Sequence, residues 1–257
     1  MKVREQMAAF RTLLTREFLR FIRIWLQTVV PAAVTTGLYF VIFGNLIGSQ
    51  LHPIGGVSYM EYIVPGIILM SIITNAYANV VSSFYMSKFV HFVEEMLISP
   101  MPNYLILIGY VAGGVARGLV VGMVVTVVAM FFAPLGVYNA AILIAVVLLT
   151  AVLFSLGGFI NAIYAKSFDD ISIIPTFVLT PLIYLGGIFY SIDMLPAFWQ
   201  KVSLVNPILY MINAMRYGML GVSDIDVTTA LAMIVFFVAV LFIFSLVLLR
   251  RGVGLRD

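Results

Sequence analysis

Charged residues are confined to a few short segments, and the apolar runs between them are long enough to be bilayer-crossing helices. Residues 2–23 are an exception. Val3, Met7, Phe10, Leu14, Phe18 and Phe21 recur every three or four positions, with Lys2, Arg16, Arg20 and Arg23 on the opposite side. That pattern predicts an amphipathic helix lying in the membrane interface with its cations at the headgroups. From Ile24 to Met60 there is no charge, which predicts a first span over 25–47, Pro31 being tolerated near its start. His52, Pro53 and Gly55-Gly56 mark a loop, and a second span follows over 61–84. Lys88, His91, Glu94 and Glu95 open a polar segment that ends at Ser99-Pro100-Met101-Pro102, where a helix must stop. No charge lies between Arg117 and Lys166, too long a stretch for one crossing. Pro134-Leu135-Gly136 divides it into spans over 104–133 and 138–164. Beyond Lys166, Asp169 and Asp170 come a fifth span over 172–190, a punctuated apolar segment over 191–226, and a last span over 227–249 stopped by Arg250 and Arg251.

Composition fixes the surroundings of these helices. Of 257 residues, 63% are hydrophobic and only 10% charged, with a mean hydropathy of +1.14. A soluble domain carries about 25% charged residues, so lipid must replace water around this chain. The expected fold class is an all-α integral membrane protein with six transmembrane helices. Charge placement then sets orientation. Eleven of the fourteen Lys and Arg fall in the two tails and the loops near 88 and 166, and none in the loops near 50 and 135. Both termini are therefore expected in the cytoplasm. Residues 1–24 would form the cytoplasmic interface helix, 25–249 the six-span domain, and 250–257 a cytoplasmic tail. The basic clusters abut apolar runs, so membrane lipid headgroups are their expected partner and nucleic acid is not.

Enzyme chemistry finds no residues to perform it. A P-loop needs Gly immediately before its Lys, and none of Lys2, Lys88, Lys166 or Lys201 follows a Gly. Cysteine is absent, and His52 and His91 fall in loops on opposite sides of the membrane. No catalytic residue, bound cofactor or metal site is expected in this chain, which leaves transport powered from elsewhere. Arg117 is the one charge deep in a span, costing about 2.5–3.5 kcal/mol on insertion scales. Gly109, Gly113, Gly114, Gly118 and Gly122 give its helix a smooth side for close packing. Pathway and packing roles both stay open for Arg117, Gly114 and Gly118. Drawn as a helix, 88–98 has an apolar side with Phe92, Met96 and Leu97 and an acidic side with Glu94 and Glu95. Such a helix can dock in a partner's groove by its apolar anchors or lie on the headgroups. Asp169 or Asp170 could cap the fifth helix before Ser172 and also touch a partner. Tyr39, Phe40, Tyr77, Phe84, Tyr184 and Phe189 are candidates to line a pathway.

Several segments resemble one family. Pro175, Pro181, Gly186-Gly187 and Tyr190, then Leu195-Pro196, Asn206-Pro207 and Arg216-Tyr217, look like the C-terminal signature of type-2 ABC-transporter permeases. Glu94-Glu95-Met96-Leu97 with Pro100 and Pro102 resembles that family's cytoplasmic coupling helix. The stretches 43–48, 74–79 and 166–171 look close to the YadH-type inner-membrane permeases of Gram-negative bacteria. The resemblance implies a permease of the bacterial inner membrane that pairs with a second copy and with two separate P-loop ATPase subunits. ATP and Mg would be held by those subunits. It also implies export, short re-entrant outer helices over 191–220, and ATPase coupling through the N-terminal helix, Phe92, Glu94, Glu95, Met96, Leu97, Asp169 and Asp170, with Arg216 in the outer signature. A charge-poor interior suits amphiphilic, drug-like, lipid or glycan-type cargo. Two other functions stay open: an ion-coupled carrier, for which Glu61 is the nearest carboxylate relay, and a scaffold recruiting partners through 88–98.

Overall fold

The computed structural model describes residues 3–50, 53–99 and 101–254; Lys2, His52, Pro100 and Arg256 lie outside the described residues. The chain is helical, and among the described residues the only β pairing is the bridge between Ile54 and Val57. The helices are α1 (Val3–Arg23), α2 (Trp25–Tyr39, continued by π-helical Phe40–Ile47), α3 (Tyr59–Phe89), α4 (Phe92–Ile98) and α5 (Asn103–Ala129). They continue as α6 (Ala140–Tyr164), α7 (Asp170–Tyr184), α8 (Ala197–Val205), α9 (Pro207–Leu220) and α10 (Val227–Arg251). Five stretches, Trp25–Gly44, α3, α5, α6 and α10, are long and apolar enough to cross a membrane, and α7 is a shorter apolar helix.

Local chemistry sets where these helices start and stop. Ser58 and Glu61 form a capping box at the start of α3, the serine hydroxyl accepting from the Glu61 amide and Glu61 accepting from the Ser58 amide at 3.0 Å. Glu61, the carboxylate nearest to a relay position, is thereby engaged at a helix end. Asn139, Asn206 and Asp226 cap α6, α9 and α10 through their side chains. His91, in the left-handed region at φ 58°, breaks the chain between α3 and α4. Helix α7 carries two prolines that lack an amide donor, and the stretch Pro175–Leu179 widens into a π-helix. Thr180 Oγ1 donates to the Pro175 carbonyl at 2.9 Å, satisfying one group the irregular turn leaves open. The helix ends before Gly186-Gly187, short of residue 190, because Gly187 takes φ 79° and turns Ile188 into α3 beside Gly66.

Helix α3 is the axis of the bundle. Of its most apolar window 83% is buried, against 17% for α2 and α10, which lie outside. Phe84 meets Phe159 of α6 at 4.2 Å and Tyr110 of α5 edge-on at 5.1 Å. Gly114, Gly118 and Gly122 bring α5 onto α3, facing Ala76 and Ile72, while Gly109 and Gly113 admit α1, facing Leu13 and Glu17. A Cβ at Gly114 would lie 2.9 Å from the Ala76 carbonyl and press on Ser155 Oγ, so backbone rather than a flexible side chain must yield. Gly114→Ala is therefore expected to destabilise the protein by about 1–3 kcal/mol. Gly37→Ala on α2, where nothing lies within 4 Å, should be neutral or mildly stabilising. Thermal unfolding of the two variants in detergent tests the contrast; equal melting temperatures would contradict it.

Candidate functional site

The segments richest in charge converge at one end of the bundle. Lys88 Nζ donates to the carbonyls of Ile163 and Ala165 at 2.8 and 2.9 Å, tying the last turn of α3 to the end of α6. Phe168 packs on Tyr85 and Phe89, with ring centroids 4.9 and 5.2 Å apart. A Cβ at Gly254 would touch the Ile163 carbonyl, so the C-terminal end of α10 arrives here as well.

Helix α4 lies across this end. Val93 and Met96 turn inward and are buried, while Glu94 and Glu95 point outward. Phe92 and Leu97 are half-buried, and the Arg16 guanidinium sits 4.4 Å above the Phe92 ring. A groove of about 350 Å³ between α1 and α4 is lined by Leu13, Arg16, Phe92, Glu95 and Met96 among others. The apolar side of 88–98 thus faces its own chain in part. What α4 offers outward is the acidic pair and the exposed Phe89, Val90 and Ile98 around it. His91 Nδ1 lies 2.9 Å from Glu94 Oε1.

Asp170 rather than Asp169 serves the start of α7. Its carboxylate accepts from the amides of Lys166 and Ser167 at 2.8 and 3.0 Å, and Ser167 Oγ accepts from the Asp170 amide at 3.1 Å. This is a capping box with serine at its head. Those backbone donors, with the Ser167 hydroxyl, hold the Asp170 carboxyl below its ordinary range. Asp169 makes no side-chain cap bond, because the hydroxyl that starts the motif stands two residues earlier.

The face of α1 that packs inward is not the stripe its apolar periodicity predicts. Met7 and Phe18 are exposed, whereas Leu13, Glu17 and Phe21 are buried. Arg16 and Arg20 turn toward α3: Arg16 donates to Ser87 Oγ at 3.2 Å, and Arg20 to the Asn79 carbonyl and side-chain oxygen at 2.7 and 2.9 Å. Glu17 accepts from Ser83 Oγ at 2.6 Å, and Tyr110 donates to Ser87 at 2.9 Å. Sequence reasoning missed this polar seam because Glu17 reads as solvated. The available signal was a lone acid among arginines opposite a glycine-notched helix.

Above the seam, at mid-height of the bundle, a cavity of about 410 Å³ opens between α2, α3, α5 and α7. Arg117 lies in its wall and donates to Asn75 Oδ1 at 3.3 Å. Of the aromatic candidates, Tyr39 and Tyr184 line it and share a 2.8 Å hydroxyl contact, with Phe189 5.9 Å from Tyr39. Phe40, Tyr77 and Phe84 are buried in the core, which takes them off any pathway surface; Phe40 stacks on Phe132 at 5.3 Å. At the far end Arg216 is fully buried. Its guanidinium lies 3.7 Å from the Tyr62 ring centroid, donates to the Gly187 carbonyl at 2.7 Å, and stands 3.9 Å from the Asp224 carboxylate. That environment is packing, and it ties α9 to α3 and to the turn after α7. Among the described residues no group of three His, Asp or Glu side chains could hold a metal.

Known proteins are similar to this chain. Residues 8–220 match the family model described as ABC-2 type transporter. The inner membrane transport permease YadH of Escherichia coli (strain K12) is 52% identical over 249 residues, covering 97% of this chain and 97% of that protein. Nodulation protein J of Rhizobium leguminosarum bv. viciae is 26% identical over 240 residues, 92% of each chain.

Proposed function

The chain belongs to the ABC-2 type transporter permeases, and from that premise we propose that it is the membrane half of an ATP-driven exporter for amphiphilic cargo. The family lacks the ATPase domain, so the chain is not an enzyme; it is an inner-membrane permease that works with an ATPase subunit. In our proposal two copies of the permease pair with two ATPase subunits, which hold ATP and Mg. The chain crosses the membrane six times, α7 and the residues up to 190 making the fifth crossing. The 191–220 segment dips in from the outer side, with α9 buried in the bundle and α8 largely exposed. Both termini lie in the cytoplasm, since the basic segments meet at one end of the bundle.

The observation that carries the proposal is the seating of α4. Its buried Val93 and Met96 fix it to the chain, while the exposed carboxylates of Glu94, beside His91, and Glu95 can meet a cationic surface of the ATPase. Motion of that subunit would then pass through α4 and α1 into α3. Asp170, on the neighbouring loop, orders the second cytoplasmic contact, and Asp169 beside it supplies an outward carboxylate. Replacing Glu94 and Glu95 together by Ala should leave abundance unchanged. The permease's stimulation of its partner's ATP hydrolysis should fall about tenfold, roughly 1.4 kcal/mol of coupling. Reconstituted vesicles containing both subunits measure this directly. Unaltered stimulation would remove α4 from the coupling path.

A further inference from the structure

Arg117 stands at mid-membrane beside a cavity whose walls hold no carboxylate. Arg117 lies fourteen residues from Asn103 and twelve from Ala129, the ends of α5, or about 20 Å from either end at 1.5 Å per residue. Helices α2, α5 and α6 contain no Asp or Glu, α3 has only Glu61 in its first turn, and α7 only Asp170 in its first; Glu17 of α1 packs beside Gly113, one turn of α5 from Arg117, but is engaged with Ser83 and Arg20. Among the described residues the ion pairs involve Glu17, Glu94 and Asp224, never Arg117. Its single hydrogen bond, 3.3 Å to Asn75, is long, and its buried Nε has no acceptor. In a second copy of the chain, α2, α5 and α6 are equally free of acid.

The cavity beside Arg117 has the makings of a headgroup site. At about 410 Å³ it holds a polar head but not a whole lipid, and its walls present the hydroxyls of Thr28, Thr36, Ser71, Thr74 and Thr180. Thr28 donates to the Trp25 carbonyl at 3.0 Å and Thr74 to the Met70 carbonyl at 2.9 Å, so these hydroxyls are committed to their own helices and the charged donor facing the cavity is Arg117. With one cation and no carboxylate, the site repels a cationic head and pairs an anionic one. The exposed Val34 and Leu38 of α2 leave an apolar surface nearby for a chain.

We propose that this cavity binds the anionic headgroup, phosphate or carboxylate, of an amphiphile, with Arg117 as the specificity-determining residue. That the amphiphile is cargo rests on the exporter reading above; the binding chemistry does not. The test uses the whole permease purified in neutral detergent, its melting temperature followed against dodecyl phosphate and dodecyltrimethylammonium at matched concentration. The phosphate should raise Tm by several degrees and the ammonium should not. Arg117→Gln should abolish the rise, Arg117→Lys should keep part of it, and Arg23→Gln on exposed α1 should keep all of it. Equal responses to the two headgroups in the wild type overturn the proposal whether or not any variant folds. So does an undiminished phosphate response in Arg117→Gln. Native mass spectrometry separates the sources: phosphatidylglycerol retained by wild type and lost from Arg117→Gln identifies a bilayer lipid, and alkyl phosphate binding without retained lipid identifies cargo. Failure of ATPase stimulation in reconstituted vesicles would strike the exporter reading and leave these binding results standing.

Discussion

Arg216→Ala is expected to cost the permease about 3–5 kcal/mol, the range for removing one partner of a buried charge cluster. The side chain is fully buried. Its loss would strip the Gly187 carbonyl of a 2.7 Å donor, leave the Asp224 carboxylate without its cation, and open a hole under the Tyr62 ring. Gly187 is where α7 turns back toward α3, so the damage falls on a junction between three helices. Lysine should not rescue. A point charge cannot both lie flat on Tyr62 and present a fork to Gly187 and Asn213. The double variant Arg216→Met with Asp224→Asn should recover part of the loss, since it removes the stranded carboxylate along with the guanidinium. Melting temperature in detergent and abundance in the membrane are the measurements. At about 2–4 °C per kcal/mol for a chain of this size, the alanine variant should melt roughly 10 °C lower. A shift within about 2 °C would show that α9 is held in place by its apolar contacts alone.

Much of the helical scaffold was legible because its signal is physical exclusion. Ile24 to Met60 carries no charge and Pro134-Leu135-Gly136 cannot continue a helix, so α2 and the α5–α6 break lie near their predicted places. The fifth helix was less so. Its apolar run continues to residue 190, but Gly187 reverses the chain, and an apolar run does not distinguish a helix from a plug such as Ile188. The polar interior was the least legible part. Periodicity assigns α1 an apolar stripe and sends its arginines to the headgroups, because it scores side chains one at a time. The packed face of α1 is instead set by partners 59 to 71 residues away, Asn79, Ser83 and Ser87 of α3, which read as ordinary small polar residues in an apolar helix. Arg117 was visible as a lone charge. Its cavity was not, since the threonines of α2 that wall it are tolerated in any membrane helix.

Glu17 is where that hidden face is most exposed to test. The carboxylate is fully buried against α5 and α3, accepting from Ser83 at 2.6 Å, while its second oxygen lies 3.8 Å from Arg20 and has no hydrogen-bond donor. Desolvation pushes the Glu17 carboxyl above its ordinary value of 4.5, outweighing the Ser83 bond and the pull of Arg20 and Arg16. Burial likewise lowers Arg20, against the opposing field of Glu17. The docked helix therefore holds a proton at a pH where undocked Glu17 has released it. Between 4.5 and the raised value, docking binds protons, so stability falls as pH rises through that window and is level above it. Glu17→Gln keeps the contact with Ser83 and removes the buried charge. It should match or exceed the wild type at neutral pH and show no slope across the window. Glu17→Ala should instead lose about 3 kcal/mol, because it also strips Ser83 Oγ of its acceptor and leaves a hole between α1, α3 and α5. Hydrogen exchange of the amides in Val3–Arg23 reports docking of α1, and Tm followed from pH 4.5 upward gives the slope. If the glutamine variant reproduces the wild-type pH profile, Glu17 does not titrate on docking, and α1 is held by Leu13, Phe21 and the Arg20–Asn79 bonds without it.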